Sequence, residues 1–383
     1  MQFTNCLFPA DVTGTGVWRL LWPYHSISGD RNIATTILNR PVLDPNYYSG
    51  MNMLMFQRLV SNQQREIFEK ILLPASKRFG MWLIANVDDC LHADEIPLYN
   101  MGRAAYNNDD AKRNVAFTMQ NSNMIIVTTD IIKQYYVDKF NIDPNKIVII
   151  PNYLPEWEFG QKYNEQKIMD LWAKNNRKPR IGVFSSSSHY NSDANTSNVK
   201  DDLDVILKFI ISTIHKYQWV FLGHLHYKLK PYIDQGLIEY HPGADIYNYP
   251  NALANINVNC IVAPLIDNMF NRCKSNIKIL EAAAMGYPFF VQNLPCYSKY
   301  TKYTFDNEED LAKKLDDFFR QNKYFARDIA RSNFEMLSTR HPEGNGWWMT
   351  PNRNVWHSIY TLRQNSITVS VNDIMRKENT PNG

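Results

Sequence analysis

Apolar positions along the chain fall into short continuous runs, and the stretches between them change to helical spacing. Seven runs read as strands: MWLIANV (81–87), NMIIVTT (123–129), KIVII (146–150), RIGVF (180–184), WVFLG (219–223), VNCIVAP (257–263) and YPFFV (287–291). Several are apolar throughout, as strands covered on both faces are, rather than alternating as a half-wet strand does. Over 201–215, Leu203, Ile206, Leu207, Ile210 and Ile214 recur on one helical face, and Asp201 or Asp202 can cap its start. Strands alternating with helices predict an α/β fold of doubly wound parallel sheets.

The stretch 156–180 follows the extended PNYLP (151–155) and ends in a basic run just before a strand, which marks a boundary. It divides the chain into two Rossmann-like domains facing a cleft, 1–165 and 175–350. The segment 351–383 is too short for a domain and is expected to pack back on the first, with 356–364 as a helix. A length of 383 residues, 44% hydrophobic, agrees with about two domains of ordinary size. No repeat of 20–50 residues is present.

Composition narrows the setting. No run approaches the ~18 apolar residues of a membrane span, and the N-terminus lacks a basic region followed by an apolar one, so a cytoplasmic protein is expected. The five cysteines (Cys6, Cys90, Cys260, Cys273, Cys296) are scattered without a CxxC pair. That argues against a disulfide framework or structural zinc and for a reducing compartment. Net charge is +3; up to Asp170 there are 16 basic and 18 acidic residues, and beyond it 25 and 20. The excess cation of the second half suits an anionic ligand better than a uniform nucleic-acid coat.

The segment 263–291 carries the most chemistry. After the strand and a loop, Ser275 is placed to cap a helix with inner face Ile277, Leu280 and Ala284, which Gly286 and Pro288 terminate. Lys274, Lys278 and Glu281 share one face near its start, a good site for a diphosphate, with the carboxylate two turns in able to accept from ribose hydroxyls. The plain alternative is a solvated Lys/Glu face. The loop SSSSHYNSD (185–193) follows a strand end, where open α/β sheets bind ligands, so Ser186 and His189 can contact phosphate or sugar. Asp88 and Asp89 follow another strand, with His92 close behind. They read as a metal-nucleotide site, as a base poised by its neighbour's charge, or as a helix cap, and alternation lets only one point readily into a cleft. Two features are set aside: HLH (224–226) lacks trusted metal spacing and a third ligand, and the aromatic 341–356 reads as a packed loop.

The 263–291 segment resembles the donor-binding signature of retaining GT-B glycosyltransferases, most like glycosyltransferase family four. Glu281, in its AAAMGYP context, matches the family's ribose-holding glutamate. The family's second glutamate, eight residues earlier, is Cys273 here, with Lys274 beside it. The resemblance extends diffusely over most of the chain. FPADVTGTGVWRLLWP (8–23) looks like the family's first strand and glycine loop, which would let the backbone approach the donor at Gly14 and Gly16 and let Arg19 reach an anion. The segment 127–155 looks like the end of its first domain.

What the resemblance implies is a sugar transferase without an obligatory metal or cofactor, using a nucleotide diphosphate sugar as donor and retaining anomeric configuration. Lys274 would stabilise the leaving diphosphate, and Asp88 or Asp89 would bind the acceptor or do acid–base work. Layout and composition look like the glycosyltransferases of large tailed phages, some of which decorate hydroxymethylcytosine in double-stranded DNA. DNA is therefore the favoured acceptor, in a host cytoplasm, beside a saccharide or cell-surface glycan. The rivals are a GT-B-fold sugar-nucleotide epimerase, which would turn over donor alone, and a DNA-binding accessory protein, which would show a steep salt slope.

Overall fold

The computed structural model describes residues 3–91, 95–106, 108–173, 177–186, 188–191, 199–339 and 346–361. They build two sheets of six strands, every pairing parallel. The first holds β1 (Phe3–Phe8), β2 (Ile33–Ile37), β3 (Met53–Phe56), β4 (Trp82–Val87), β5 (Met124–Val127) and β6 (Ile147–Ile149), in the order β2-β1-β3-β4-β5-β6. The second holds β7 (Arg180–Ser185), β8 (Gln218–Gly223), β9 (Glu239–Pro242), β10 (Cys260–Ala263), β11 (Phe289–Gln292) and β12 (Thr304–Phe305), in the order β12-β11-β10-β7-β8-β9. All seven strands read from the sequence are present.

The apolar runs divide between two layers because successive side chains leave a strand on opposite faces. In β5, Met124 and Ile126 join one core while Ile125 and Val127 join another. The first of these cores is continuous between the halves, running from Leu7, Trp18 and Ile84 to Phe184, Ala283 and Trp356. Two side-by-side segments join the halves: Leu154 N donates to Trp347 O, and Met349 N to Leu154 O, each at 2.8 Å. The helix Arg353–Thr361 then packs on the helix Trp22–Ile27 and on β1, where Asn5 Nδ2 donates to Tyr360 O. The rest of the C-terminal segment, from 362, lies outside the described residues.

Four local expectations change. The stretch 8–23 holds only the last residue of the first strand; the rest is a loop, a π-type turn Val17–Leu21 and the helix beyond. The 201–215 helix is split into a short turn Asp202–Val205, capped by Asp201, and the helix Leu207–Thr213. Ser275 does not cap Ile277–Met285; its hydroxyl instead accepts from Asn152 Nδ2 at 2.9 Å. Finally, Cys90 and Cys273 form a disulfide across 183 residues, one clip between the halves where no disulfide was expected.

Candidate functional site

Where strand order reverses in a doubly wound sheet, the loops after two neighbouring strands diverge and leave a crevice at their carboxyl ends. The reversal falls between β1 and β3 in the first sheet and between β7 and β10 in the second. The loops after all four strands, with the one after β4, line a single cavity of about 320 Å³ between the halves.

The first half supplies Thr15, Arg58, Asp88 and Asp89. Both aspartates line the cavity, because they lie beyond the end of β4, where strand alternation no longer separates them. One guanidinium nitrogen holds the pair: Arg58 Nη2 is 3.0 Å from Asp88 Oδ1 and 2.8 Å from Asp89 Oδ2. Thr15 Oγ1 donates to Asp88 Oδ2 at 2.9 Å. Burial works against both carboxylates, but Arg58 outweighs it at Asp88, which is held below the usual carboxylate range. At Asp89 burial and the Asp88 charge prevail over Arg58 and Lys274, and its pKa is raised. His92 lies outside the described residues.

The second half supplies Ser186, His189, Lys274 and Lys278 to the same cavity. Lys274 Nζ lies over the Phe270 ring, 4.8 Å from its centroid, and makes no ion pair with any described residue. Lys278 is committed: its ammonium is 3.0 Å from Glu281 Oε2, which also accepts from Tyr249 Oη at 3.1 Å. Burial disfavours the Lys278 charge, yet Glu281 and Tyr249 hold its pKa above the ordinary lysine range. Both bonds to Glu281, 6% exposed, fall on Oε2, and no described residue donates to Oε1.

Glu281 lines an adjoining cavity of about 380 Å³, with Leu222, Gly223, His224, Gly243 and Tyr249. Gly223 is required there: its φ is +107°, and a Cβ would meet Ser185 O at 2.1 Å. Ser186 and Lys278 line both cavities, so the two adjoin at these residues as neighbouring lobes of a recess.

Three residues expected at the site are placed otherwise. Arg19 is buried and lines neither cavity: Nε donates to Asn86 Oδ1 at 3.1 Å and Nη1 to Asn152 Oδ1 at 3.0 Å. Burial lowers its pKa to about 10. At Gly16 a Cβ would meet the chain's own Asp11 O at 1.8 Å, so the missing side chain serves the turn itself. Gly14 donates its amide to Asp11 Oδ1 at 2.6 Å. Of this loop, Thr13 and Thr15 reach the recess.

Arg58 and Tyr99 escaped the sequence reading, and Asp202 entered it only as a candidate helix cap. Asp202 is buried and its Oδ2 lies 2.8 Å from His189 Nδ1; Tyr99 Oη donates to Asp202 Oδ1 at 2.8 Å from the other half. Near them, Asp201, Asp204 and His226 place ligand-type atoms within 4.8 Å of one another, so HLH does have acidic neighbours. Their lone pairs are engaged: Asp201 accepts the amides of Asn191, Leu203 and Asp204, and His226 Nδ1 accepts that of Lys228. The described part of the 341–356 loop is packed, with Trp347, Trp348 and Trp356 buried.

Solved structures share this architecture. A glycosyltransferase from Rickettsia africae ESF-5 matches with a TM-score of 0.57 at 14% identity, over 96% of this chain and 100% of its own. Anabaena Alr3699/HepE in complex with UDP and glucose gives a TM-score of 0.61 at 10% identity, over 96% of this chain and 100% of its own. The same protein in complex with UDP-glucose gives 0.59 at 10% identity, with the same 96% and 100% coverage. Identities this low establish the fold, which is GT-B: two Rossmann-like sheets about a central cleft. No protein-family model matches the sequence, and no curated protein sequence matches it.

Proposed function

We propose that the chain transfers a sugar from a nucleoside diphosphate sugar to a hydroxyl acceptor, with 175–350 as donor domain and 1–165 as acceptor domain. The observation that carries this is the pair of adjoining cavities: a lobe with a half-engaged carboxylate meets, at Ser186 and Lys278, a lobe lined by both halves. Glu281 Oε1 is placed to accept from ribose hydroxyls in the first lobe. The diphosphate crosses at Ser186 and Lys278, and the sugar faces the acceptor in the second. Uridine nucleotides are natural first probes, since Alr3699/HepE was solved with UDP and with UDP-glucose.

As the bond from the anomeric carbon to the diphosphate breaks, negative charge grows on the leaving oxygen. An ammonium already in place lowers that barrier without reorganisation. Lys274, stacked on Phe270 and free of a carboxylate partner among the described residues, is the group to do it; Lys278 chiefly fixes Glu281. Across the cavity Asp89, whose pKa is raised by burial and by Asp88, meets the acceptor hydroxyl, and Arg58 sets its direction. In its finer form the reading is transfer with retention onto hydroxymethylcytosine in DNA; the cationic excess of the second half supports an anionic ligand, which the diphosphate also satisfies.

The test is a thermal-shift panel of nucleoside diphosphates and nucleotide sugars. The best donor is then incubated alone, with hydroxymethylated or plain DNA, and with oligosaccharides, and products are read by mass spectrometry and anomeric NMR. Stabilisation by a nucleotide sugar and transfer to an acceptor are expected. No stabilisation by any nucleotide overturns the reading, and isomerisation of donor alone replaces transfer with epimerisation.

A further inference from the structure

His189 lies on the cavity wall with its side chain 14% exposed, and a buried carboxylate governs its chemistry. Asp202 Oδ1 accepts from Tyr99 Oη at 2.8 Å, Asn271 Nδ2 at 2.7 Å and the Ile266 amide at 3.0 Å. Oδ2 faces His189 Nδ1 at 2.8 Å. With three donors already on Oδ1, Asp202 serves as the acceptor on Oδ2 as well, so the hydrogen in that contact belongs to Nδ1. Burial, then Lys274, with Lys278 adding to it, disfavours a second proton on the ring against the pull of Asp202, and the pKa falls to about 4. The neutral ring therefore has its lone pair on Nε2.

A lone pair there discriminates among ligand groups. A phosphate oxygen is itself an acceptor and would be repelled; a hydroxyl can donate to it. We propose that Asp202 is a positioning residue that holds His189 as the acceptor for a hydroxyl of the transferred sugar, with Tyr99 supplying one support from across the cleft. The inference rests on the nucleotide-sugar reading above and narrows it: His189 contacts the sugar, not the diphosphate. Three donors converge on Oδ1, so in Asp202→Asn that position stays a carbonyl oxygen and the amide NH₂ turns to His189 Nδ1. The ring hydrogen then moves to Nε2, and an acceptor facing the sugar becomes a donor, the tautomer logic familiar from catalytic triads.

The experiment measures affinities of the full chain by calorimetry for UDP-glucose, GDP-mannose and ADP-glucose, each beside its free diphosphate. For a pair that binds wild type, Asp202→Asn and His189→Ala should each weaken the nucleotide sugar about tenfold or more and leave the free diphosphate within about twofold. Asp202→Asn added to His189→Ala should change little further, since its effect runs through the ring. Nitrogen-15 NMR of the Asp202→Asn protein should show the His189 hydrogen on Nε2 instead of Nδ1. If Asp202→Asn does not fold, His189→Ala and Tyr99→Phe carry the test, with Tyr99→Phe moving sugar affinity in the same direction by a smaller factor. Equal weakening of sugar and free diphosphate by His189→Ala, or no weakening of either, overturns the inference while the nucleotide-sugar reading stands. Binding of no pair by wild type overturns both.

Discussion

At the scale of single residues, Arg58 organises the cavity wall that the first half supplies. Its backbone is in the left-handed region at φ +47°, an uncommon conformation for a side chain of this size, and it delivers one nitrogen between two carboxylates. Arg58→Met should therefore leave adjacent, half-buried carboxylates unpaired and cost about 3–5 kcal/mol in urea unfolding. Adding Asp88→Asn should recover part of the loss. On the opposite wall, Glu281→Gln keeps the shape but weakens an acceptor that serves both Lys278 and the proposed ribose. Calorimetry should show nucleotide affinity reduced about tenfold, the cost of a charged hydrogen bond. The sequence made Glu281, Lys274, Lys278, Ser186, His189 and both aspartates legible because each follows a strand or lies at or along a helix with a clear apolar pattern. Arg58 was hidden because β3 is a four-residue run of Met, Leu and Phe too short to read. Arg19 misled for a different reason: in VWRLLWP the neighbours are apolar all round, and that surround buries the arginine with them.

Among the elements, the helix Ile277–Met285 decides where the lysines and Glu281 stand, and its ends show how. Met285 is followed by Gly286 at φ +69°, whose amide closes on Ala282 O and Ala283 O. A Cβ there would also meet Tyr163 Cδ2 at 2.3 Å, against the ring that stacks on Phe334 with centroids 4.5 Å apart. Gly286→Ala should thus cost about 1–2 kcal/mol for the left-handed backbone alone, and more from the ring displacement, lowering Tm by several degrees in calorimetry. Tyr163→Leu in the same chain should recover some of the second part. This terminus was legible from Gly286 and Pro288, but the start was not: Ser275 looks like a cap by sequence, and the cross-chain Asn152 takes its hydroxyl instead. The strands divide along the same line. Continuous apolar runs revealed β4–β8, β10 and β11, while β2 (IATTI) and β9 (EYHP), at sheet edges, carry mixed residues and give no such signal.

For the whole molecule, two Rossmann-like halves followed from strand–helix alternation, but the contacts that clamp them did not. Asn152 with Ser275, Tyr99 with Asp202 and Cys90 with Cys273 join residues 123, 103 and 183 positions apart. Spacing on its own does not announce such partners, and cysteine counting cannot give connectivity. Charge also acts at this scale. If Lys274, Lys278 and helix-start amides neutralise the diphosphate, EDTA should leave turnover unchanged, and loss restored by magnesium or manganese would refute that role. His189 is neutral in the folded protein because burial and then Lys274 lower its pKa from 6.5 to about 4, so the unfolded chain binds a proton there that the native state refuses. With more protons on the unfolded side, stability rises with pH through this window and is lost on acidification from about 6.5 toward 4. His224, lowered chiefly by burial, acts in the same direction. One proton gives a slope of about 1.4 kcal/mol per pH unit, and His189 alone contributes on the order of 3 kcal/mol across the interval. Below it His189 carries charge beside Lys274 and Lys278, and the support from Tyr99 through Asp202 works against that repulsion. Urea unfolding at half-unit steps from pH 7 to 4 should show the slope in wild type and a shallower one in His189→Gln, which has no proton to gain. Parallel slopes in the two proteins would mean that His189 titrates in the fold as it does in the open chain.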